Sequence, residues 1–84
     1  MSYGVLILRR ASKQLADLPF RDYERVKRSV SALADSPRPQ GCLKLTGRAG
    51  WRIRVGDYRI IYEVDDPNRT VTVLDIGNRR DIYN

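Results

Sequence analysis

The sequence predicts an α+β domain with an N-terminal strand, two helices and then a mainly antiparallel sheet of three or four further strands. Three observations support this. A short apolar run opens the chain, two segments with helical spacing of apolar residues follow, and β-rich runs separated by turn residues fill the rest. Elements in this order place the helices on one face of the sheet. The 84 residues are enough for one domain, spanning residues 1–84.

The first strand and both helices are predicted in the N-terminal half. Residues 3–8 are rich in β-forming side chains and too short for a helix. Because this strand is apolar on both faces, we expect it to lie inside the sheet. Apolar spacing predicts a short helix over residues 10–18, which Pro19 ends, and a longer helix over residues 21–34. The charged side of the longer helix is typical of a solvated surface.

The remaining strands are predicted in the C-terminal half. Residues 42–45 form a short strand, and residues 51–63 form a hairpin that turns at Gly56 and Asp57. Glycine at the first central position suits a two-residue type II′ turn. Residues 70–76 are a further β-rich run, which should lie antiparallel to residues 58–64.

A two-residue turn fixes the register of the hairpin. Val55 then faces Tyr58 and Arg54 faces Arg59, and successive side chains alternate between two faces. The apolar face carries Trp51, Ile53, Val55, Tyr58, Ile60 and Tyr62. The other face, which we call the arginine face, carries Arg52, Arg54 and Arg59 around Ile61, with Glu63 at its edge. We expect the helices to cover the apolar face and to leave the arginine face open.

The charge of the chain indicates an anionic partner. Sixteen Lys and Arg residues against ten Asp and Glu give a net charge of +6. Nucleic acid, an acidic protein segment and a membrane surface all fit such a charge. Directly opposed like charges destabilise a sheet, so three clustered guanidinium groups favour a phosphate-binding surface over a plain solvated one.

The sequence predicts neither a cofactor nor a metal site. Cys42 is the single cysteine and there is no histidine, so neither an intrachain disulfide nor a zinc site is expected. The longest N-terminal apolar run, residues 5–8, is too short for a signal peptide, and no segment resembles a membrane span. We therefore expect a cytoplasmic protein that does not bind membranes.

Three stretches of the sequence resemble the RelE/ParE toxin superfamily of type II toxin–antitoxin modules. They are the Lys-Leu-x-Gly string at residues 44–47, the hairpin at residues 51–63, and Gly77-Asn78-Arg79-Arg80-Asp81-Ile82-Tyr83. The resemblance extends over nearly the whole chain and implies a RelE-like fold and a toxin that an antitoxin holds inactive. Toxins of the RelE branch cleave mRNA in the ribosomal A site, whereas ParE-branch toxins act on DNA gyrase. The ending from Arg79 to Tyr83 favours the RelE branch.

The same resemblance implies an active site on the arginine face. RelE-like enzymes use basic residues before the tight turn, an arginine after it, an arginine after the last strand and a C-terminal tyrosine. By this correspondence the predicted catalytic residues are Arg59, Arg79 and Tyr83. The predicted RNA-binding residues are Arg52, Arg54, Lys44 and Arg80, and the candidate acids or bases are Glu63 and Asp81.

Two departures from the family pattern concern three positions. Some RelE relatives carry lysine where this chain has Arg52 and Arg54, and many carry histidine where it has Asn78. Arginine effectively cannot lose a proton, so neither Arg52 nor Arg54 is expected to act as a general base. Tyr83 is the preferred group for proton transfer or for stacking on an unpaired base.

These observations predict a ribosome-dependent endoribonuclease that cleaves translated mRNA by metal-independent attack of the ribose 2′-OH. Two alternatives stay open: a gyrase-directed toxin of the same fold that does not cut RNA, and a nucleic-acid-binding module without catalytic activity. The expected partners are the ribosome, mRNA and a RelB-like antitoxin with an acidic or amphipathic segment.

Overall fold

The computed structural model describes residues 2–78, which form five strands and two helices. The elements are β1 (Gly4–Ile7), α1 (Arg9–Ala16), α2 (Phe20–Ala32), β2 (Leu43–Lys44), β3 (Trp51–Val55), β4 (Tyr58–Asp65) and β5 (Thr70–Asn78). The predicted α+β fold class is confirmed, because one strand and two helices precede four further strands. Neither helix of the described part is long and apolar enough to cross a membrane.

The strands form one sheet in the order β1-β5-β4-β3-β2. Strand β1 is parallel to β5, and every other neighbouring pair is antiparallel. The sheet is therefore mainly antiparallel, as predicted. Strand β5 follows β4 in the sequence and also pairs with β1, so it lies between β1 and β4 in the sheet.

Strand β1 lies at the edge of the sheet, and the prediction that it lies inside was wrong. Val5 pairs with the buried Val71 and packs against the core, whereas Leu6 lies on the opposite face and is 59% exposed. Strands β2 to β5 pair with one another in sequence order. Consequently, no strand of the described chain is left to cover the outer side of β1.

The core lies between the two helices and the apolar face of the sheet. Helix α1 contributes Ala11 and Leu15, which are four residues apart and so share one side of the helix. The buried cluster comprises Ala11, Leu15, Val26, Val30, Leu33, Ile53, Ile60, Tyr62, Val71, Val73 and Ile76. The helices thus cover the apolar face of the hairpin, as predicted, and the arginine face is the side without helices.

Helix α1 also completes the edge of β5 beyond the end of β1. The last contact of the N-terminal strand region is the hydrogen bond from the Leu8 N–H to the Val73 carbonyl, at 3.0 Å. Further along β5, the backbone N–H of Ile76 donates to Gln14 Oε1 at 2.8 Å. A buried N–H without a partner costs about 1–3 kcal/mol. The Gln14 side chain therefore takes the place of the missing strand.

The segment after α2 is attached to the far end of the sheet by side chains. The Tyr62 hydroxyl donates to the Pro37 carbonyl at 2.7 Å. Arg38 Nη2 donates to Asp66 Oδ2 at 2.7 Å, and the Tyr3 hydroxyl donates to Asp66 Oδ1 at 2.6 Å. These bonds connect the segment to β4, to the β4–β5 turn and to the N-terminus. They position the chain that leads into β2.

Candidate functional site

The hairpin β3–β4 turns at Gly56 and Asp57, as predicted. Gly56 has a φ of +59°, whereas Asp57 has a negative φ. This combination is that of a type II′ turn, which requires a positive φ at its first central residue only. A side chain at position 56 would also meet Arg25, whose Nη1 lies 3.1 Å from the place of a Cβ atom. The positive φ therefore favours glycine here, whereas the exposed end of the Arg25 side chain can move to make room.

The predicted register of the hairpin is confirmed at all five pairs. The pairs are Trp51 with Tyr62, Arg52 with Ile61, Ile53 with Ile60, Arg54 with Arg59, and Val55 with Tyr58. Directly opposite side chains have Cβ atoms about 5 Å apart. Strand alternation adds Arg52 to the same face, so the three arginines lie together on the side without helices.

A groove of about 350 Å³ opens on this side of the hairpin, and we call it the arginine groove. Its lining residues are Gly41, Leu43, Arg52, Ile53, Arg54 and Arg59. Arg54 is exposed and its Nε lies 3.4 Å from the Gly56 carbonyl, whereas Arg52 and Arg59 are half-buried. Arg59 Nη1 is buried, so part of its guanidinium group lies within the protein rather than in open solvent. Three cations therefore line one groove, and the residues named above include no carboxylate to offset them.

The structure separates the other predicted residues from this groove. Glu63 is exposed, lies on the arginine face opposite Thr72, and is not part of the groove lining. Lys44 is opposite Trp51, and its Nζ lies 5.3 Å from the centroid of that ring. Antiparallel partners share a face and Trp51 packs against the core, so Lys44 lies on the other side of the sheet. Lys44 therefore does not line the groove, and its predicted role in RNA binding stays a prediction.

Four predicted residues, Arg79, Arg80, Asp81 and Tyr83, lie outside the described residues, so their roles stay predictions. Within residues 2–78, no group of three His, Cys, Asp or Glu side chains could hold a metal ion. The described part of the site is therefore the arginine groove, with Glu63 on the same face of the sheet.

Comparison with known proteins supports the resemblance seen in the sequence. The family model described as the ParE toxin of the type II toxin–antitoxin system parDE matches residues 5–83. The chain belongs to the RelE/ParE toxin superfamily. A curated relative from Methanocaldococcus jannaschii that carries the RelE1 name is 28% identical over 87 residues, which cover 99% of this chain and 97% of the relative.

Solved structures of RelE proteins share the fold of this superfamily member. The Mycobacterium tuberculosis toxin–antitoxin complex RelBE2 contains a chain with 27% identity and a TM-score of 0.83, over 94% of this chain and 100% of that one. The RelE–RelB complex from Pyrococcus horikoshii contains a chain with 31% identity and a TM-score of 0.81, over 96% of this chain and 99% of that one. A mutant of Escherichia coli RelE in the free state has 27% identity and a TM-score of 0.80, over 98% of this chain and 88% of that one. The first two relatives were crystallised with an antitoxin.

One groove residue of this RelE/ParE chain was missed by the sequence reasoning. Leu43 pairs directly with Arg52, so it lies on the arginine face, and it is 53% exposed. The pairing of β2 with β3 placed it there. Register across the long connection between these strands cannot be read from the sequence, because no two-residue turn fixes it. The apolar character of Leu43 gave no signal of a place beside the arginines.

Asp75 was also missed, and here the sequence did contain a signal. A β-bulge between Ile61 and Tyr62 shifts the pairing, so that Tyr62 faces Val73 but Ile61 faces Asp75. The shift brings Asp75 onto the arginine face and sends Ile76 into the core. Its Oδ1 is buried, lies 3.5 Å from Arg10 Nε and makes no hydrogen bond within the described part. The interval of three between the apolar Val73 and Ile76, where strict alternation gives two, indicated the bulge.

Proposed function

We propose that this type II toxin is a ribosome-dependent endoribonuclease of the RelE branch, which cleaves translated mRNA. The observation that carries the proposal is the convergence of Arg52, Arg54 and Arg59 in one groove on the face without helices. Guanidinium is the side-chain group that best matches phosphate in shape and charge. A strand of RNA offers a series of such phosphates.

The proposed reaction is an attack of the ribose 2′-oxygen on the adjacent phosphorus atom. The bond to the 5′-oxygen breaks, so the products carry a 2′,3′-cyclic phosphate and a 5′-hydroxyl. Arg59, together with Arg79, is assigned to the negative charge that builds up on the phosphoryl oxygens, while Arg52 and Arg54 bind the scissile and neighbouring phosphates. A fixed donor aimed at such charge contributes on the order of 3–4 kcal/mol.

Proton transfer is the weaker part of this chemistry. The 2′-OH must lose a proton and the leaving 5′-oxygen must gain one, and arginines serve neither purpose. Tyr83, Glu63 and Asp81 are the proposed acid–base candidates, whereas Lys44 lies on the opposite face. Holding the substrate in the reactive geometry can supply about 7–11 kcal/mol of a barrier. We therefore expect cleavage of ribosome-bound mRNA and little cleavage of free RNA.

The proposed protein partner is a RelB-like antitoxin in the cytoplasm. The net charge of +6 suits a partner segment that carries acidic residues. RelE chains of similar fold were crystallised with RelB in the complexes from Pyrococcus horikoshii and Escherichia coli. A small companion gene beside the gene for this chain is expected.

The test is expression of the chain in bacteria without its antitoxin, followed by primer extension on an abundant mRNA. The wild type is expected to arrest growth and to produce cuts in phase with codons. Arg59→Ala should abolish these cuts. Arg28→Ala is the matched control, because it removes the same charge from the exposed surface of α2 and should cut like the wild type. Equal cleavage of free and ribosome-bound RNA by the pure protein would contradict the proposal.

A second candidate function is inhibition of DNA gyrase without RNA cleavage. It is favoured by the matching family model, which is that of ParE toxins. The arginine groove would then bind protein. Growth arrest with intact mRNA and induced DNA damage would assign the chain to this branch. Absence of growth arrest would leave a nucleic-acid-binding module or an inactive toxin.

A further inference from the structure

Leu43 is an exposed apolar side chain in the arginine groove. It leaves 53% of its surface to solvent, pairs directly with Arg52 and forms part of the groove wall together with Arg54 and Arg59. Its strand, β2, has two residues, and the Leu43 side chain is not part of the buried cluster. Packing of the core therefore does not explain a leucine at this position.

The other large apolar residues of the arginine face do not offer the same surface. Ile61 is 7% exposed and has little area to give to a ligand. Leu6 is 59% exposed, but it lies on β1, at the opposite edge of the five-stranded sheet. Four strand spacings of about 4.8 Å separate β1 from β2, so Leu6 is roughly 19 Å away. Among the described residues, Leu43 is the large apolar group with an open surface beside the arginines.

We propose that Leu43 and the arginines form a subsite for one nucleotide of single-stranded RNA, in which the base packs on Leu43 while a guanidinium group binds the phosphate. The inference rests on the proposed RNA-cleaving function and names the contact that holds the substrate in register. A base is a flat apolar surface with polar edges, so an aliphatic side chain can cover its face without regard to sequence. Leu43 is a substrate-contacting residue in this account and takes no part in proton transfer.

The spacing of the strands fits this arrangement. Leu43 and Arg52 are directly opposite each other, with Cβ atoms about 5 Å apart, and Arg54 is the diagonal neighbour at about 7–8 Å. The long arginine side chains can reach a phosphate while the short leucine covers the base beside it. Among the described residues, Leu43 is the exposed apolar group directly opposite Arg52 on the arginine face.

The first experiment measures binding of the toxin to ribosomes programmed with an mRNA whose A-site codon carries 2′-O-methyl groups, which block cleavage. Leu43→Ala is expected to raise the Kd about tenfold, since about half of a leucine side chain is left without its partner. Leu6→Ala is the matched control, because it removes the same atoms from a similarly exposed position on the same face. It should bind like the wild type. Leu43→Phe, which keeps a flat apolar surface, should bind at least as tightly as the wild type.

The second experiment repeats the measurement with an abasic nucleotide at each codon position in turn. At one codon position, the losses of binding free energy caused by the abasic nucleotide and by Leu43→Ala should not add, because both changes remove the same contact. A structural role of Leu43 would instead give the same penalty with every RNA. Thermal unfolding of Leu43→Ala and Leu6→Ala checks that both variants are folded.

The outcomes separate this inference from the function on which it rests. Wild-type binding by Leu43→Ala, or an equal penalty with all abasic RNAs, overturns the subsite while cleavage by the wild type still supports the nuclease. Unchanged ribosome binding with weaker binding of the antitoxin would make Leu43 a protein contact and also overturns it. A wild-type toxin that neither binds nor cuts on the ribosome overturns both.

Discussion

A glycine in a turn can be required by its backbone conformation, and substitution measures the stability that depends on it. Gly56→Ala is expected to lower the free energy of unfolding by about 1–3 kcal/mol, because position 56 needs a positive φ. Gly56→Asn is the control, because asparagine tolerates a positive φ better than alanine while it also places a Cβ atom beside Arg25. Urea unfolding of both variants should find Gly56→Ala the less stable. Equal midpoints would mean that the positive φ at position 56 has no energetic effect.

Asp66 gives the stability of the protein a dependence on acid pH. Hydrogen bonds from Arg38 and Tyr3 hold the pKa of this carboxyl below its usual value of 3.8. A lowered pKa contributes stability above the unfolded-state value, and this stability is lost as the pH falls through the folded-state value. Asp66→Asn should therefore lower the Tm at pH 7 and should make little difference well below pH 3. A Tm difference that is the same at both pH values would contradict this account.

At the scale of elements, the contact between α1 and β5 is held by one side chain. Gln14→Ala removes the acceptor for the Ile76 N–H and is expected to cost about 1–3 kcal/mol of stability. Hydrogen exchange of the Ile76 amide should become faster, whereas the amide of Ile60 on the central strand β4 should follow only the global change. Gln40→Ala, at an exposed loop position, is the control. Unchanged exchange at Ile76 would show that another acceptor replaces Gln14.

The elements that the sequence predicted well are those that local chemistry determines. A two-residue turn with glycine at position 56 sets the hairpin register, and the three arginines of the groove follow from it. Both helices began and ended within two residues of the prediction, since apolar spacing and Pro19 mark them. Strand identity and the opposition of Arg54 and Arg59 were thus available before the structure.

The elements that were predicted poorly depend on contacts between distant parts of the chain. Position in the sheet is one example: the apolar pattern of β1 is the same for an edge strand and for a central one, and only the pairing of the other strands decides. Leu43, rather than Lys44, lies beside Arg52 because the register of β2 is set by contacts across a loop. The bulge that places Asp75 on the arginine face could have been predicted only from the spacing of apolar residues along β5.

For the whole molecule, the excess of positive charge should make substrate binding depend on salt. If Arg54 binds a phosphate, log Kd for programmed ribosomes should rise with log salt concentration, and Arg54→Ala should reduce this slope by about 0.7. Arg28→Ala should weaken binding little and leave the slope unchanged, because its charge lies on the helical side. Titrations between 50 and 200 mM salt, roughly the range over which phosphate contacts weaken, would measure both slopes. Identical slopes for the wild type and Arg54→Ala would remove Arg54 from the phosphate-binding set.

The position of β5 between β1 and β4 sets an order of events during synthesis. The strand that joins the N-terminal strand to the hairpin is the last of the five described strands to be made. Until residues 70–78 have left the ribosome, β1 has no neighbour and α1 has no β5 edge to cover. The hairpin with its arginines can form earlier, but it then lacks half of the sheet that supports it. A nascent chain therefore completes the described five-stranded sheet only once residues 70–78 have been translated.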